Sequence, residues 1–157
     1  ELLHRGDAFF EGNAYVAAAL LDCDLPPGVM RRSVFLSPVS RDEIVELQNP
    51  EVHTTVEATV TDVMRRKLLR RTKRQKTILS LTDLENIETR CSHAYAEMQL
   101  AHRFEYVLCN HDGEDSENWD AFAHPLGDAR RTLHALAALL QGRSCDHAEQ
   151  WPADLLA

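Results

Sequence analysis

Residues 65–76 read RRKLLRRTKRQK, eight Lys or Arg in twelve positions. A guanidinium is planar and permanently charged, and its fork grips a phosphate through two parallel hydrogen bonds. A dense run of such groups is chemistry for phosphate. The chain around it is acidic, with a net charge of -8 over 157 residues. Outside the run, nine basic residues face 25 acidic ones, and five of those acids fall within residues 112–120. This asymmetry points to a specific anionic partner, not to a generally basic surface. A nucleic-acid arm is the competing reading of residues 65–76. The run has no interleaved aromatics for base stacking, and the acidic remainder repels a long polyanion.

Other polar residues stand where apolar runs end. Glu11 and Asn13 follow one run, Ser37 and Ser40 a second, and Asn110, His111 and Asp112 a third. Glu11 and Asn13 can hydrogen-bond a substrate base or sugar; equally, Gly12 turns the chain and Asn13 caps the helix that follows. Asn110 fits a contact with a nucleotide base, or a turn at a strand end. The acidic loop offers oxygen ligands for Mg²⁺ or Ca²⁺, but its Gly113 comes too early for an EF-hand and no Glu stands at position 12. Pairing of this loop with the basic segment or with a partner is the preferred reading.

Cys23, Cys91, Cys109 and Cys145 form no C-x-x-C pair, which reads as free thiols in a reducing cytoplasm. The histidines show no i, i+4 pair on a helix face, so no metal site is expected. No run approaches ~18 apolar residues, so no membrane span is expected. With 44% apolar and 27% charged residues, the chain suits one packed domain.

The elements that must position these groups alternate. Residues 7–13 read as a short apolar strand, and AYVAAALLDC as a helix stopped by LPPG. RSVFLSPVS reads as a strand, followed by a helix with Ser40 as N-cap and Glu43 closing a capping box. Residues 49–59 read as an irregular connection. From about Val60 a helix places Val60, Val63, Met64 and Leu68 in one stripe, with Arg65, Arg66 and Lys67 on a solvated face. A long return helix carries Leu84, Ile87, Cys91, Ala94, Met98 and Ala101, with Thr82 and Glu85 as its capping box. FEYVLCN reads as a third strand. A last helix has the stripe Leu133, Leu136, Ala137 and Leu140 and ends at Gly142. Residues 143–157 show no clear pattern and read as a tail after an organised unit of residues 1–142. Strand–helix alternation predicts an α/β fold: a mostly parallel sheet covered by helices, with a site at the carboxyl ends of its strands.

The order of pieces resembles the later two-thirds of guanylate kinase and its P-loop nucleoside monophosphate kinase relatives. ELLHRGDAFFEGN is similar to the helix and strand before the family's acidic substrate-side residues. SVFLSPVSRDEI is similar to its strand, Pro-rich turn and helix. RRKLLRRTKRQ and DLENIETRCSHAYAEM resemble its mobile lid, here residues 60–90, and FEYVLCN resembles its strand ending in Asn. The resemblance implies a P-loop NTPase fold and ATP-dependent phosphorylation of a nucleotide or a related small phosphate ester, with ATP and Mg²⁺ as cofactors. It places Arg71, Arg74 and Arg90 on the transferring phosphate, Glu11, Asn13 and Arg70 on the substrate, and Asn110 on the nucleotide. EGN departs from the family's usual guanine-recognising pattern. The chain also lacks G-x-x-x-x-G-K-[ST], the loop whose backbone N–H groups hold nucleotide phosphates. The first P-loop strand would therefore be missing from the middle of the sheet, leaving backbone groups unpaired at about 1–3 kcal/mol each. A fragment, a substitute segment or a rearranged fold would each answer that gap. Three functions follow: part of a kinase that this chain alone does not complete; a non-catalytic module that binds a nucleotide or phosphorylated partner; and nucleic-acid binding through residues 65–76. An oligomer is compatible with all three.

Overall fold

The computed structural model describes residues 6–113 and 116–157. Five α-helices and three short strands are present among them: α1 (Ala14–Leu21), β1 (Val34–Ser37), α2 (Arg41–Leu47), α3 (Val56–Gln75), α4 (Leu81–Met98), β2 (Tyr106–Cys109), α5 (Gly127–Leu140) and β3 (Ala148–Glu149). No helix among the described residues is long and apolar enough to cross a membrane.

β1 and β2 pair in parallel, Val34 opposite Tyr106 through Ser37 opposite Cys109. β2 also pairs with β3, but antiparallel. Side chains of a strand alternate between the two faces. Phe35 and Val107 join one cluster with Val60 of α3, Ala94 and Met98 of α4, and Ile44 of α2. Leu108 packs on the opposite face against Ala135 and Leu139 of α5. A third cluster, Leu68 with Ile87 and Cys91, locks α3 to α4 as an antiparallel hairpin.

The expected parallel sheet of a P-loop fold is not what forms. The protein is mixed α/β and mostly helical, with one parallel pair in a three-stranded sheet. Two segments account for the difference. Residues 7–13 form no strand; Phe9 is 79% exposed and has no sheet neighbour to pair with. The tail, which showed no pattern, returns along β2 in the opposite direction and supplies β3. It then buries Trp151, Leu155 and Leu156 in the main cluster. Alternation of apolar runs with helices says nothing about such a returning strand.

Helix ends follow the local chemistry. Asn13 caps α1 by accepting from the Val16 N–H at 2.9 Å. Ser40 and Glu43 form the expected capping box of α2. α3 starts four residues earlier than expected, capped by Thr55. α4 is capped by Ser80 and Asp83, not by Thr82 and Glu85. The α4 stripe is buried from Ile87 through Cys91, Ala94 and Met98, while Leu84 is exposed. α5 is rotated from its expected phase: Ala129, Thr132, Ala135, Ala138 and Leu139 are buried, and Leu133 and Leu140 are exposed. Small residues at 129, 132 and 135 let this helix lie close on β2, with Leu139 packed inward and Leu133 and Leu140 facing outward. Gly142 (φ 71°) ends α5, with the Arg143 N–H bonding Ala138 O at 2.9 Å and the Gly142 N–H bonding Leu139 O at 3.0 Å. That is a Schellman motif, which needs a left-handed residue where glycine stands.

The tail is stitched as well as buried. Gln48 Nε2 donates to Leu155 O at 2.7 Å, and Gln99 Nε2 to Leu156 O at 3.0 Å. Trp151 Nε1 donates to Glu149 Oε2, which also accepts from the Arg41 N–H at the start of α2. Trp151→Ala should therefore destabilise the fold by about 3–5 kcal/mol in urea denaturation. A loss under ~1 kcal/mol would show that the tail is not part of the core.

Candidate functional site

Parallel pairing brings the carboxyl ends of β1 and β2 to one edge. From β1 the chain turns through Ser37, whose Oγ bonds both the carbonyl and the N–H of Val39, and enters α2 at Ser40. From β2 it continues through Asn110 and His111. The Asn110 N–H donates to Ser37 O at 2.9 Å, so the two turns are tied together. Fully buried Ile44 anchors α2 and aims Glu43 across this edge. α3 closes the other side: Lys67 Nζ donates to Asn110 O at 2.7 Å.

A cleft of about 420 Å³ opens here. Arg66, Lys67 and Arg70 of α3 form one wall; Glu43 and Glu46 of α2, with His111, form the other. Arg66 is also paired with Asp62 at 2.9 Å, one turn back along α3.

His111 is clamped. Its Nδ1 bonds Asp128 Oδ2, and its Nε2 lies 2.9 and 3.0 Å from the two oxygens of Glu43. Burial works against a charged ring, but hydrogen bonds and charge from both carboxylates override it and raise the His111 pKa. Burial likewise pushes Glu43 up, and bonds from the Ser40 N–H and His111 bring it below the usual range. Beside them, Cys109 Sγ is 3.5 Å from His111 Nε2. Burial pushes this thiol up to about 12, with the charges of Glu43, Glu149 and Asp128 acting in the same direction and Lys67 opposing.

The residues singled out by sequence separate. Arg70 lines the cleft. Asn110 stands at its base, but through its backbone, while its side chain accepts from the Asp112 N–H as a turn residue. Asn13 is a helix cap, and Glu11 is exposed in the segment before α1. Arg71, Arg74 and Arg90 do not line this cleft. Arg74 stands 3.8 Å from Glu117, and Arg90 is exposed on α4. Arg65 and Lys67 are not merely solvated. Arg65 braces the hairpin through two bonds to Glu88 at 2.6 and 2.7 Å. Sequence reasoning placed no chemistry on Glu43, Lys67, Cys109 or Asp128. Of the four, only Cys109 stands at a strand end; Glu43 reads as a helix cap, and Lys67 and Asp128 lie within helices.

The acidic loop behaves as two parts. Glu117 approaches Arg74, as expected of a loop that meets the basic hairpin. Asp112 does something else: its Oδ2 accepts the Ala129 N–H at 2.7 Å, and its Oδ1 takes Asn118 Nδ2 at 2.8 Å and Ser116 Oγ at 3.1 Å. The first residue before α5 is Leu126, which offers no cap, so Asp112 serves as one from a distance. Glu114 and Asp115 lie outside the described residues.

No family model, curated protein or solved structure matches this chain.

Burial raises the Asp112 pKa, but the bonds from Ala129, Asn118, Ser116 and Asp128 more than offset it and hold the carboxyl below its ordinary value. Its contribution to stability is thus present above the ordinary aspartate range and lost as pH falls through the lowered value. Asp112→Ala should cost about 1–2 kcal/mol at neutral pH in urea denaturation, and the gap to the native chain should close below about pH 4. A gap that persists unchanged in acid would rule out the carboxylate as the cap.

Proposed function

We propose that this chain binds a phosphorylated small molecule, by class a nucleotide, in the cleft between α2 and α3. One observation carries the reading: Arg66, Lys67 and Arg70 line a concave site beside the carboxyl ends of two parallel strands. Arg66 and Arg70 are one helical turn apart and so present to one side. Guanidinium and ammonium groups at that spacing suit the oxygens of a phosphate ester. Glu43 and Glu46 on the facing wall supply acceptors for the hydroxyl or amine groups of the rest of the ligand. The cleft's volume is within the ordinary range for a small-molecule site, roughly 300–1,000 Å³. The resemblance of residues 65–111 to the lid and strand end of nucleoside monophosphate kinases narrows the ester to a nucleotide. Four free thiols fit a reducing compartment, taken here to be the cytoplasm.

The same resemblance implies phosphoryl transfer from ATP with Mg²⁺, and the residues present do not fit a triphosphate. The sequence has no G-x-x-x-x-G-K-[ST]. The helix that begins at a positive-φ glycine, α5 at Gly127, has its N-terminal N–H already taken by Asp112. Binding without turnover is the reading these residues support.

Calorimetry with GMP, AMP and orthophosphate tests this. A nucleotide should bind, and an Arg66→Ala, Arg70→Ala double variant should weaken it at least ~10-fold, about 1.4 kcal/mol. Absence of heat with every mononucleotide, or an unchanged affinity in the double variant, would overturn the reading. Tight binding of an oligonucleotide with steep salt dependence, and of no mononucleotide, would replace it with nucleic-acid recognition.

A further inference from the structure

We propose that Glu43, Cys109 and His111 form a binding site for a divalent transition-metal ion of the zinc class, with Asp128 orienting the histidine from behind. One donor atom from each of the three residues lies within 4.8 Å of the others. The set mixes sulfur, imidazole nitrogen and one carboxylate oxygen. That chemistry favours zinc or cobalt over magnesium or calcium, which take oxygen ligands.

The spacing agrees with ligation. Metal–sulfur bonds of ~2.3 Å and metal–nitrogen bonds of ~2.0–2.1 Å at a tetrahedral angle separate the two donors by about 3.5 Å. Cys109 Sγ and His111 Nε2 are 3.5 Å apart. Sγ is also 3.8 Å from Nδ1, so it sits beside the ring and not on the Nε2 lone-pair axis. With the ring held by Asp128, it is the thiol that must rotate for both donors to reach one ion. Glu43 is 2.9–3.0 Å from Nε2 and needs to open by about 0.4 Å, since an oxygen and a nitrogen on one metal stand ~3.4 Å apart.

Two further features favour a cation here. Asp128 holds Nδ1, which leaves Nε2 as the ligating nitrogen in the carboxylate–histidine arrangement common around metals. The carboxylates of Glu43, Glu149 and Asp128 surround the thiol, against the single ammonium of Lys67. Metal entry displaces the proton on Sγ and that on Nε2, while the Nδ1 proton stays on its bond to Asp128. Glu43 and His111 line the cleft, so the fourth position opens into it, where water or an oxygen of the cleft's ligand completes the tetrahedron.

The test uses the metal alone, so its outcome is independent of the phosphate reading. The full chain, stripped with a chelator, is titrated with Co²⁺. One ion should bind per chain, with a sulfur-to-cobalt charge-transfer band that Zn²⁺ removes. Cys109→Ser should abolish the band, whereas Cys23→Ser and Cys145→Ser should keep it. Asp128→Asn should keep the band and weaken affinity ~10–100-fold. Glu43→Gln, which can still close the capping box, should also weaken binding; it decides the matter if circular dichroism shows Cys109→Ser unfolded. No bound cobalt, a band that survives Cys109→Ser, or unchanged affinity in Glu43→Gln would overturn the site. Unchanged affinity in Asp128→Asn would remove the orienting role.

Discussion

The parallel pairing of β1 with β2 is the constraint from which the rest follows. It spans only four residues on each strand, Val34–Ser37 against Tyr106–Cys109. Because the strands run the same way, both chains leave the sheet at one edge, and residues 68 apart in sequence meet there: Glu43 and His111. A one-residue slip of β1 would turn Phe35 out of the main cluster, and one of β2 would turn Val107 out of it and Leu108 away from α5. Register is therefore fixed by burial on two faces, and the site inherits that precision. A parallel pair cannot be closed by a tight turn. The crossover here is the α3–α4 hairpin, and that is why the basic segment lies beside the strand ends at all.

The basic run resolves into distinct tasks once the hairpin is built. Arg65 ties α3 to Glu88 of α4, and Lys76 holds Asp83 at the α4 cap. Both are exposed pairs, whose value is geometric more than energetic. Lys67 reaches the strand end, and Arg66 and Arg70 border the cleft. An acidic protein with a cationic helix is thus no paradox. Much of the charge is matched inside the fold, and one stretch of it is presented to a concave surface.

What could be read from the sequence was local. The Ser40–Glu43 box, the Asn13 cap and the α4 stripe from Ile87 to Met98 depend on residues three or four apart, and they formed as expected. The α5 phase is not legible in a hydrophobic count, which leucines dominate, because close approach to β2 selects the small residues at 129, 132 and 135. The direction of the tail was not legible, since a two-residue strand leaves no periodicity to find. Nor was the donor cluster. Cys109 and His111 are near neighbours along the chain, but Glu43 had already been explained as a helix cap, which gave no reason to look further.

That double role of Glu43 is what makes the site rigid. Its Oε2 accepts from the Ser40 N–H at 2.7 Å and from Ser40 Oγ at 3.0 Å, while Oε1 stands 3.0 Å from His111 Nε2. A free glutamate must give up the freedom of its side-chain rotamers to hold one position. Here the helix cap has already restricted them, and Ile44 beneath has already fixed the helix. His111 is restrained in turn by Asp128 from α5, and Glu149 of β3 anchors the first turn of α2. Each charged group at the strand ends is thus held by a different element. The groups keep their geometry only while the tail, α5 and the sheet stay packed, so local chemistry at this edge is coupled to the stability of the whole fold.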